Sequence, residues 1–341
     1  MRLEILPVEG IGDVTPGDDL VGLITAAAPW LADGDVLVVT SKIVSKAEGR
    51  LVEVPADGPE RDEARLRALE SETARVVARR GPTTIVQTHH GFVMAAAGID
   101  ASNVDKTHLV LLPDDPDASA RRLRAGFAEH GLDVAVIVSD TMGRAWRNGL
   151  TDVALGSSGI EPLLDHRGRV DPYGNELSLT QMAVVDELSA AAELVKGKCD
   201  QVPVAVVRGY PYAPGETGVR VLIRDAESDM FGLGTAEARA QGLRDAALLS
   251  DTAQSPEPTD PAAVKRAVAL VTASLAPETG IALSAGALHL TTAGSGSADL
   301  LRLGSDAFRV RAMLTAEGVP TTLEIDDRGI VLSFGESHEP V

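Results

Sequence analysis

The segment Val134–Arg147, VAVIVSDTMGRAWR, decides the fold class of this sequence. Its first five residues are apolar and mostly β-branched, which is typical of a strand that is buried on both faces. Ser139, Asp140 and Thr141 follow directly. Because ligands bind beyond the carboxyl ends of strands in open α/β sheets, the segment predicts an α/β protein with a polar site at one end of its sheet.

Similar segments lie on both sides of this one along the chain. Asp35–Thr40 (DVLVVT) and Val202–Val207 predict two further buried strands. Helices are predicted at Leu20–Leu31, Pro59–Arg80, Ala118–His130, Leu179–Lys196 and Ala236–Leu249, and short strands at Arg2–Val8, Thr84–Thr88, Phe92–Ala96 and His108–Leu112. This order indicates a mixed-sheet α/β (α+β) domain over residues 1–249.

The last quarter of the chain differs in composition. Residues 250–260 (SDTAQSPEPTD) are rich in Ser, Thr, Asp and Pro, which predicts a linker. Residues 261–341 predict a small α+β module, with helices at Pro261–Leu275 and Ser305–Glu317 and a hairpin around Asp326–Gly329.

Net charge is the strongest signal in the composition. Thirty-one basic residues stand against 50 acidic ones, so the formal net charge is −19. Such a chain should repel nucleic-acid backbones and anionic membrane surfaces. It favours instead a divalent metal recruited by carboxylates, the alternative being that the acidity serves solubility only.

Length and cysteine content exclude other classes. A chain of 341 residues can bury a full core without a disulfide or metal staple. Cys199 is the only cysteine, which excludes a disulfide framework and a cysteine-built zinc site. No apolar run reaches 18 residues, and the first residues lack a signal-peptide pattern, so we expect a cytoplasmic location without a membrane span.

Two segments pair a strand end with cationic or acidic side chains. Ser41, Lys42 and Lys46 follow the strand Asp35–Thr40 and suit a phosphate site, although the glycines of a Walker A loop are missing. The alternative is a solvated lysine pair. Asp100 and Asn103 lie in a Gly-led turn, where Asx side chains also serve as ordinary turn caps.

The opening segment and a loop near residue 210 carry further chemistry. Asp140 and Thr141 offer oxygen ligands for Mg²⁺ or Mn²⁺. Arg144 and Arg147, with Trp146 between them, suit an anion or a stacked ring, the alternative being a capped turn with surface arginines. Val204–Gly218 joins Arg208, Tyr210, Tyr212 and Glu216, which suits an aromatic ligand and a metal-bridging carboxylate; the alternative is a rigid Pro-rich connection.

Other candidates are weaker. His89–His90 has no third ligand at a metal-binding spacing, so a hairpin turn is expected there. Gly156–Gly159 (GSSG) is interpreted as a flexible loop. Lys196 and Lys198 form a second lysine pair, after a helix, and rank below Lys42 and Lys46 because ligands favour strand ends.

Seven ordered segments together resemble the coenzyme F420-0:γ-glutamyl ligase family (the CofE enzymes), also found as the N-terminal half of actinobacterial FbiB-type proteins. They are PVEG (7–10), GDDL (17–20), GDVLVVTSKIVSKAEGR (34–50), AGIDASNV (97–104), SDTMGRAWR (139–147), DPYGNEL (171–177), and VVRGYPY (206–212) with GE (215–216). The resemblance covers about residues 1–245 and implies a homodimer that ligates L-glutamate to the lactyl carboxylate of F420-0. It further implies GTP as co-substrate, Mg²⁺ or Mn²⁺ at two sites, and help from K⁺.

The resemblance also implies roles for individual residues. Guanine nucleotide contacts fall on Ile11, Gly12, Asp13 and Val14, phosphate contacts on Ser41, Lys42 and Lys46, and further GTP contacts on Asn103, Gly215 and Gly218. Divalent metal ligands fall on Asp100, Asp140, Thr141 and Glu216. Lys42, Lys46 and Asp140 are the implied catalytic groups.

The chain departs from the two-domain members of the family after residue 250. FbiB-type proteins continue into a nitroreductase-like, flavin-binding domain about twice as long as residues 251–341, and those residues show none of its character. FMN is therefore not expected. Two alternatives stay open: an amide ligase of this family that acts on a different carboxylate, and a non-catalytic deazaflavin- or nucleotide-binding protein.

Overall fold

A computed structural model describes residues 2–102, 104–198, 200–225, 227–250, 259–284 and 286–334. Backbone contacts divide the chain into two units, residues 1–236 and 237–341. The helices are α1 (Leu20–Ala27), α2 (Ser41–Ala47), α3 (Gly58–Ser71), α4 (Pro116–Glu129), α5 (Val184–Lys196), α6 (Thr235–Ala247), α7 (Pro261–Thr272) and α8 (Ser297–Ala316), with 3₁₀ turns at Ala96–Gly98 and Val219–Leu222.

The strands outnumber the helices, and many are short. They are β1 (Glu4–Val8), β2 (Val36–Thr40), β3 (Leu51–Glu53), β4 (Thr73–Arg80), β5 (Thr83–Thr88), β6 (Val93–Ala95), β7 (His108–Val110), β8 (Ala135–Arg144), β9 (Arg147–Ser158), β10 (Leu163–Asp165), β11 (Arg169–Val170), β12 (Glu176–Leu177), β13 (Gln181–Ala183), β14 (Val204–Arg208), β15 (Thr279–Ser284), β16 (Ala287–Thr292), β17 (Thr322–Asp326) and β18 (Gly329–Ser333). The α/β class predicted from the sequence is confirmed.

A five-stranded sheet, in the order β1-β14-β2-β8-β9, forms the centre of the first unit. β2 and β8 are parallel, whereas β14 runs antiparallel to β2 and β9 antiparallel to β8. Alternate side chains of each strand supply two cores, one shared with α1, α2 and α4 and the other with α5. The buried strands read from VLVV, VAVV and AVIV are therefore confirmed, with helices covering both faces of their sheet.

One helix prediction is wrong in its second half. The charged segment Pro59–Arg80 was expected to be a single helix, but α3 ends at Ser71 and β4 begins at Thr73. The threonine and valines of β4 favour an extended backbone, and β4 pairs with β5 along its length. Pairing between strands overrides the charged helical pattern here.

The expectation of a flexible loop at Gly156–Gly159 is also wrong. β9 extends through Ser158, and Leu155, Ser157 and Ser158 are buried. Gly156 lies so close to the start of α4 that an added Cβ would approach the carbonyl of Pro116 to 2.2 Å. The glycine thus permits close helix–sheet packing, which explains its place in a strand.

The second unit has its own sheet and core. Four antiparallel strands in the order β15-β16-β18-β17 pack with α7 and α8 around buried residues that lie between Ala263 and Leu332. The α+β character and the hairpin at Asp326–Gly329 are confirmed, while β15 and β16 were not predicted. Most of the predicted linker (251–258) lies outside the described residues. In the ranges the structure describes, no helix is both long and apolar enough to cross a membrane.

Candidate functional site

Two parallel strands bring the polar segments of the sequence to one end of the central sheet. Thr40 of β2 lies beside Ser139 of β8. Ser41, the buried first residue of α2, and Asp140 therefore follow at the same end. The site predicted from VTSK and VSDT is a single place in the fold, because parallel strands point their carboxyl ends the same way.

Lys42 links this end to the turn that carries Asp100. Lys42 Nζ lies 2.6 Å from Asp100 Oδ2 and donates a hydrogen bond to Ser102 Oγ at 2.9 Å. Burial raises the pKa of the Asp100 carboxyl, but the bonds from Lys42 and Ser102 outweigh it and hold the pKa below its usual value. Asp100 is thus an ionised carboxylate with a lysine partner. Asn103 lies outside the described residues.

Asp140 has the opposite electrostatic environment. Burial is the main cause that raises the pKa of its carboxyl, to about 6, and the charges of Asp152 and Asp100 add to the rise. The backbone N–H of Thr141 donates to Asp140 Oδ1 at 2.7 Å and partly offsets this. The charges of Asp100 and Asp152 therefore disfavour the ionised form of Asp140, and an added cation would relieve this repulsion.

Thr141 and Ser139 both donate to Asp152, a residue that the sequence analysis missed. Their hydroxyls lie 2.7 Å and 3.0 Å from its two carboxylate oxygens. Burial raises the pKa of Asp152, but Lys196, Thr141 and Lys198 together lower it more, so the net shift is downward. Asp152 belongs to β9, directly opposite Thr141 in the register.

Lys196 is buried beneath the site, with only 1% of its surface exposed. Its ammonium group lies 2.9 Å from Asp152 Oδ2 and 3.4 Å from Glu193 Oε2, and donates to Ser139 Oγ at 3.1 Å. The spacing of Val185, Leu188, Ala192 and Lys196 places Lys196 on the buried face of α5, which is the signal that could have identified it.

Lys198 reaches the same site from the surface. Its side chain is 63% exposed, donates to Thr141 Oγ1 and lies 2.9 Å from Glu193 Oε1. Burial lowers the pKa of its ammonium group, but Glu193, Asp152 and Asp140 raise it more. The lysine pair at 196 and 198 therefore belongs to this site together with Lys42.

The segment Ile11–Val14 lies beside α2. Ile11 and Val14 are buried in the core that α1 and α2 share, whereas Gly12 and Asp13 are exposed. Lys46 Nζ lies 3.9 Å from Asp13 Oδ1. The structure thus brings this segment close to the second lysine of α2.

Glu216 and its neighbours lie elsewhere on the sheet. Glu216 accepts hydrogen bonds from Arg124, Ser158 and the Gly159 N–H, at 2.8–3.0 Å. Ser158 pairs with Val136, four residues before Asp140 along β8, which corresponds to about 13 Å. Gly215 packs against Glu161 and Gly218 against Asp117. Within one chain, the loop of Glu216 is therefore at the opposite end of the sheet from Asp140.

Arg208 lies at that opposite end as well. Its guanidinium forms a bidentate pair with the buried Asp35, at 2.6 Å and 2.7 Å, and lies 5.5 Å from the ring centre of Trp30. β14 runs antiparallel to β2, so its last residue meets the beginning of β2. Arg208 therefore stabilises the start of β2 through its ion pair with Asp35.

The donor set at the Asp140 end suits a hard divalent cation. Asp100, Asp140 and Thr141 offer carboxylate and hydroxyl oxygens, and Mg²⁺ typically takes one or two carboxylates and completes its shell with water and substrate phosphates. Among the described residues, no group of three or more His, Cys, Asp or Glu side chains is arranged to enclose a metal. The described residues therefore suit an open metal site, in which water and substrate phosphates supply the remaining ligands.

Beyond Asp140, β8 and β9 continue as a two-stranded hairpin. Arg144 pairs with Arg147 at its end, and Ala145 and Trp146 form the turn. Trp146 is 87% exposed, has a φ of 66°, and contacts Phe231 edge to face with ring centres 6.1 Å apart. The turn motif thus presents an aromatic pair and two arginines to solvent.

Aspartates and lysines gather at one end of the parallel strands of this α/β sheet. This arrangement identifies the first unit as an α/β enzyme domain. The family model of the F420-0:gamma-glutamyl ligases matches residues 10–209. This chain belongs to that family, as the resemblance of its motifs predicted.

Curated relatives agree with the family match. The chain is 39% identical over 250 residues to a protein of Methanothermobacter thermautotrophicus named coenzyme F420:L-glutamate ligase, an alignment that covers 68% of this chain and 99% of the relative. Proteins of the same name from Methanopyrus kandleri and Archaeoglobus fulgidus are each 40% identical, over 68% of this chain and 97% of their own length. The second unit lies outside the family match.

Proposed function

We propose that this protein ligates L-glutamate to coenzyme F420-0 by forming an amide bond, with GTP as the energy source. The family membership and the names of its relatives support the acceptor and the amino acid. The observation that carries the proposal is the convergence of Lys42–Asp100 with Asp140, Thr141 and Lys198 at one end of parallel strands. Anionic substrates need such cations and carboxylate-held metal in close reach.

The proposed reaction has two steps. The acceptor carboxylate attacks the γ-phosphorus of GTP, and GDP leaves as the acyl phosphate forms. The amine of glutamate then attacks the acyl carbon, phosphate leaves, and the amine loses a proton as the amide forms. Both steps join anions or develop negative charge, so fixed positive charge at the site lowers their barriers.

The chain's own residues divide this work. Ser41, Lys42 and Lys46 bind nucleotide phosphates, and Lys198 supplies a further cation beside Thr141. Asp100, Asp140 and Thr141 would hold Mg²⁺ or Mn²⁺, which when bound would neutralise phosphate charge. The buried Asp152 and Lys196 fix the positions of Ser139 and Thr141. The assignment of Glu216 as a metal ligand stays a prediction.

The proposal includes a second metal ion, a supporting K⁺ ion and a homodimer, which the family resemblance supports, and the cytoplasmic location expected from the sequence. Dependence of the rate on Mg²⁺, Mn²⁺ and K⁺ concentration tests the cations. Light scattering of the purified protein tests the dimer.

A mass-spectrometric assay tests the main proposal. Purified protein with F420-0, L-glutamate, GTP and Mn²⁺ should yield a product one glutamyl residue heavier, and EDTA should remove this activity. Asp140→Asn should abolish it, while the matched control Asp165→Asn, a surface carboxylate paired with Arg167, should not. Absence of product from the wild-type protein would refute the proposal, and near-wild-type activity of Asp140→Asn would remove Asp140 from the site.

A further inference from the structure

The turn of the β8–β9 hairpin places Trp146 in a backbone conformation that bulky side chains rarely adopt. A φ of 66° at the second turn position is readily adopted by Gly or Asn, and a bulky aromatic residue there is a genuine outlier. Trp146 occupies it and is almost fully exposed. Its ring therefore gains little from burial in this chain that would offset the strain, which points to a role for the ring in binding.

Phe231 forms an aromatic pair with the exposed ring of Trp146. It lies in the segment before α6, is 60% exposed, and meets Trp146 at an interplanar angle of 68°. Aromatic residues make up only 3% of this sequence. Two of them in contact on the surface form an exposed aromatic surface of the kind that takes a planar ring.

Two arginines flank this pair without a balancing carboxylate. Arg144 and Arg147 stand directly opposite each other across the hairpin, an arrangement in which like charges repel. Arg144 donates to the Asn148 carbonyl at 3.5 Å, and among the described residues neither arginine has an ion pair. The chain as a whole has a net charge of −19, but the hairpin tip is locally positive. It is therefore suited to bind an anion from another molecule.

The hairpin tip, meaning Arg144, Trp146, Arg147 and Phe231, is continuous with the candidate site. Asp140 lies four residues before Arg144 on β8, which corresponds to about 13 Å. A ligand with a planar ring at one end and a reacting carboxylate at the other would span this distance along one strand. The proposed acceptor, a deazaflavin that ends in a carboxylate, has this form.

We infer that the hairpin tip binds the planar ring of the acceptor, with Trp146 and Phe231 against the ring and the two arginines against its anionic chain. This inference rests on the proposed function, which supplies the identity of the acceptor. A second copy of the chain is a poorer occupant, because a two-fold contact at this tip would set identical arginines against each other.

Two reciprocal single-tryptophan proteins test the inference on the full chain. The sequence contains only Trp30 and Trp146. Trp30→Phe leaves Trp146 as the only reporter, and Trp146→Phe leaves Trp30, which lies near Arg208. Titration with F420-0 should quench the fluorescence of Trp30→Phe and not that of Trp146→Phe, which also corrects for light absorbed by the ligand. Equal quenching in both proteins, or none in either, would overturn the inference.

Binding and kinetics provide the second readout. Equilibrium dialysis should show a Kd for F420-0 at least tenfold higher in Trp146→Ala, with partial recovery in Trp146→Phe and no change in the matched control Tyr173→Ala, an exposed aromatic residue on another hairpin. KM for GTP and glutamate should stay within twofold. An unchanged Kd in Trp146→Ala would overturn the inference. A changed mass of this variant by light scattering, together with that unchanged Kd, would assign the hairpin tip to a contact between two copies of the chain.

The outcomes also separate this inference from the proposed function. Selective quenching of Trp146 without formation of a glutamyl product would refute the ligation and leave the ring site standing. Product formation with an unchanged Kd in Trp146→Ala would leave the ligation standing and refute the ring site.

Discussion

At the scale of single residues, the buried pair Lys196–Asp152 is the part of the site that most constrains the molecule. Both side chains are almost completely buried, and Ser139 and Thr141 donate to the same carboxylate. Removing one partner of such a pair leaves a buried charge without compensation, which costs far more than losing a surface ion pair. The site therefore depends on a residue that never reaches its surface.

Lys196→Met should destabilise the protein by about 3–5 kcal/mol, because Asp152 would remain buried without its cation. Lys198→Met is the matched control two residues away, and its exposed ammonium group should cost less than about 1 kcal/mol. Urea unfolding of the two variants measures both values. Equal losses of stability would show that burial of Lys196 does not decide its contribution.

At the scale of secondary-structure elements, contact between α4 and β9 depends on the missing side chain of Gly156. An added Cβ would lie 2.2 Å from the backbone of Pro116 and 2.6 Å from the Asp117 nitrogen. Backbone atoms at the start of a helix cannot move aside without moving the helix. The apparently flexible GSSG sequence is thus a packing requirement between two elements.

Gly156→Ala should destabilise the protein by about 1–3 kcal/mol through this overpacking. Gly143 lies on the other strand of the same hairpin, where an added Cβ would meet only Leu150 at 3.8 Å. Gly143→Ala should therefore change stability by less than about 0.5 kcal/mol. Thermal unfolding of both variants checks the prediction, and a neutral Gly156→Ala would contradict the packing argument.

In the second unit, Asp306 ties α8 to the start of the sheet. Burial raises the pKa of its carboxyl, but bonds from the Ala276 N–H (2.9 Å), Thr279 Oγ1 (2.7 Å) and Arg309 Nη1 (2.8 Å) outweigh it, so the pKa lies below 3.8. The folded state therefore holds this proton less tightly than the unfolded state. The ionised carboxyl of Asp306 therefore adds to the free energy of unfolding. This contribution is fully present above pH 3.8 and is lost as the pH falls through the folded-state pKa.

Asp306→Asn should cost the second unit about 1–3 kcal/mol at neutral pH, since the amide cannot accept all three bonds as well as the carboxylate. The difference between variant and wild type should shrink as the pH falls below 3.8. Urea unfolding at pH 7 and pH 3, followed by a probe within residues 259–334, measures this. A difference that is the same at both pH values would show that ionised Asp306 is not responsible.

The sequence predicted those elements whose patterns are local. Buried strands such as VAVIV, the C-terminal end of α4 and the hairpin at Asp326–Gly329 follow from apolar runs, helix-stop signals and turn residues. β4 was missed because its pairing with β5 is decided by tertiary contact. At the site, Asp100, Asp140 and Lys42 were recognisable from their motifs, whereas Asp152 and Lys196 depend on which strand face and helix face are buried.

At the scale of the whole molecule, the two units have separate cores. In the described part of the chain, the core residues of the first unit lie before residue 223, and those of the second lie after residue 262. α6, which begins at the end of the first unit and continues into the second, buries none of its residues. Among the described residues, each core is therefore built from residues of its own unit.

A chain that ends after Leu249 should accordingly remain folded and keep its ligation rate within about twofold. The melting temperature of the first unit and the mass-spectrometric assay, each compared with the full chain, measure the two parts of this prediction. Loss of activity with an unchanged melting temperature would assign the second unit a part in the reaction. Loss of both would show that the first unit needs the second to fold.

The φ of Trp146 has a consequence for protein engineering. Gly or Asn at this turn would relieve the backbone, so a library selected only for heat tolerance should enrich these residues at position 146. Selection for turnover at low acceptor concentration should restore an aromatic ring. Thermostability thus favours Gly or Asn at position 146, whereas acceptor binding favours an aromatic residue. A thermostable variant chosen without the second selection would bind its acceptor poorly.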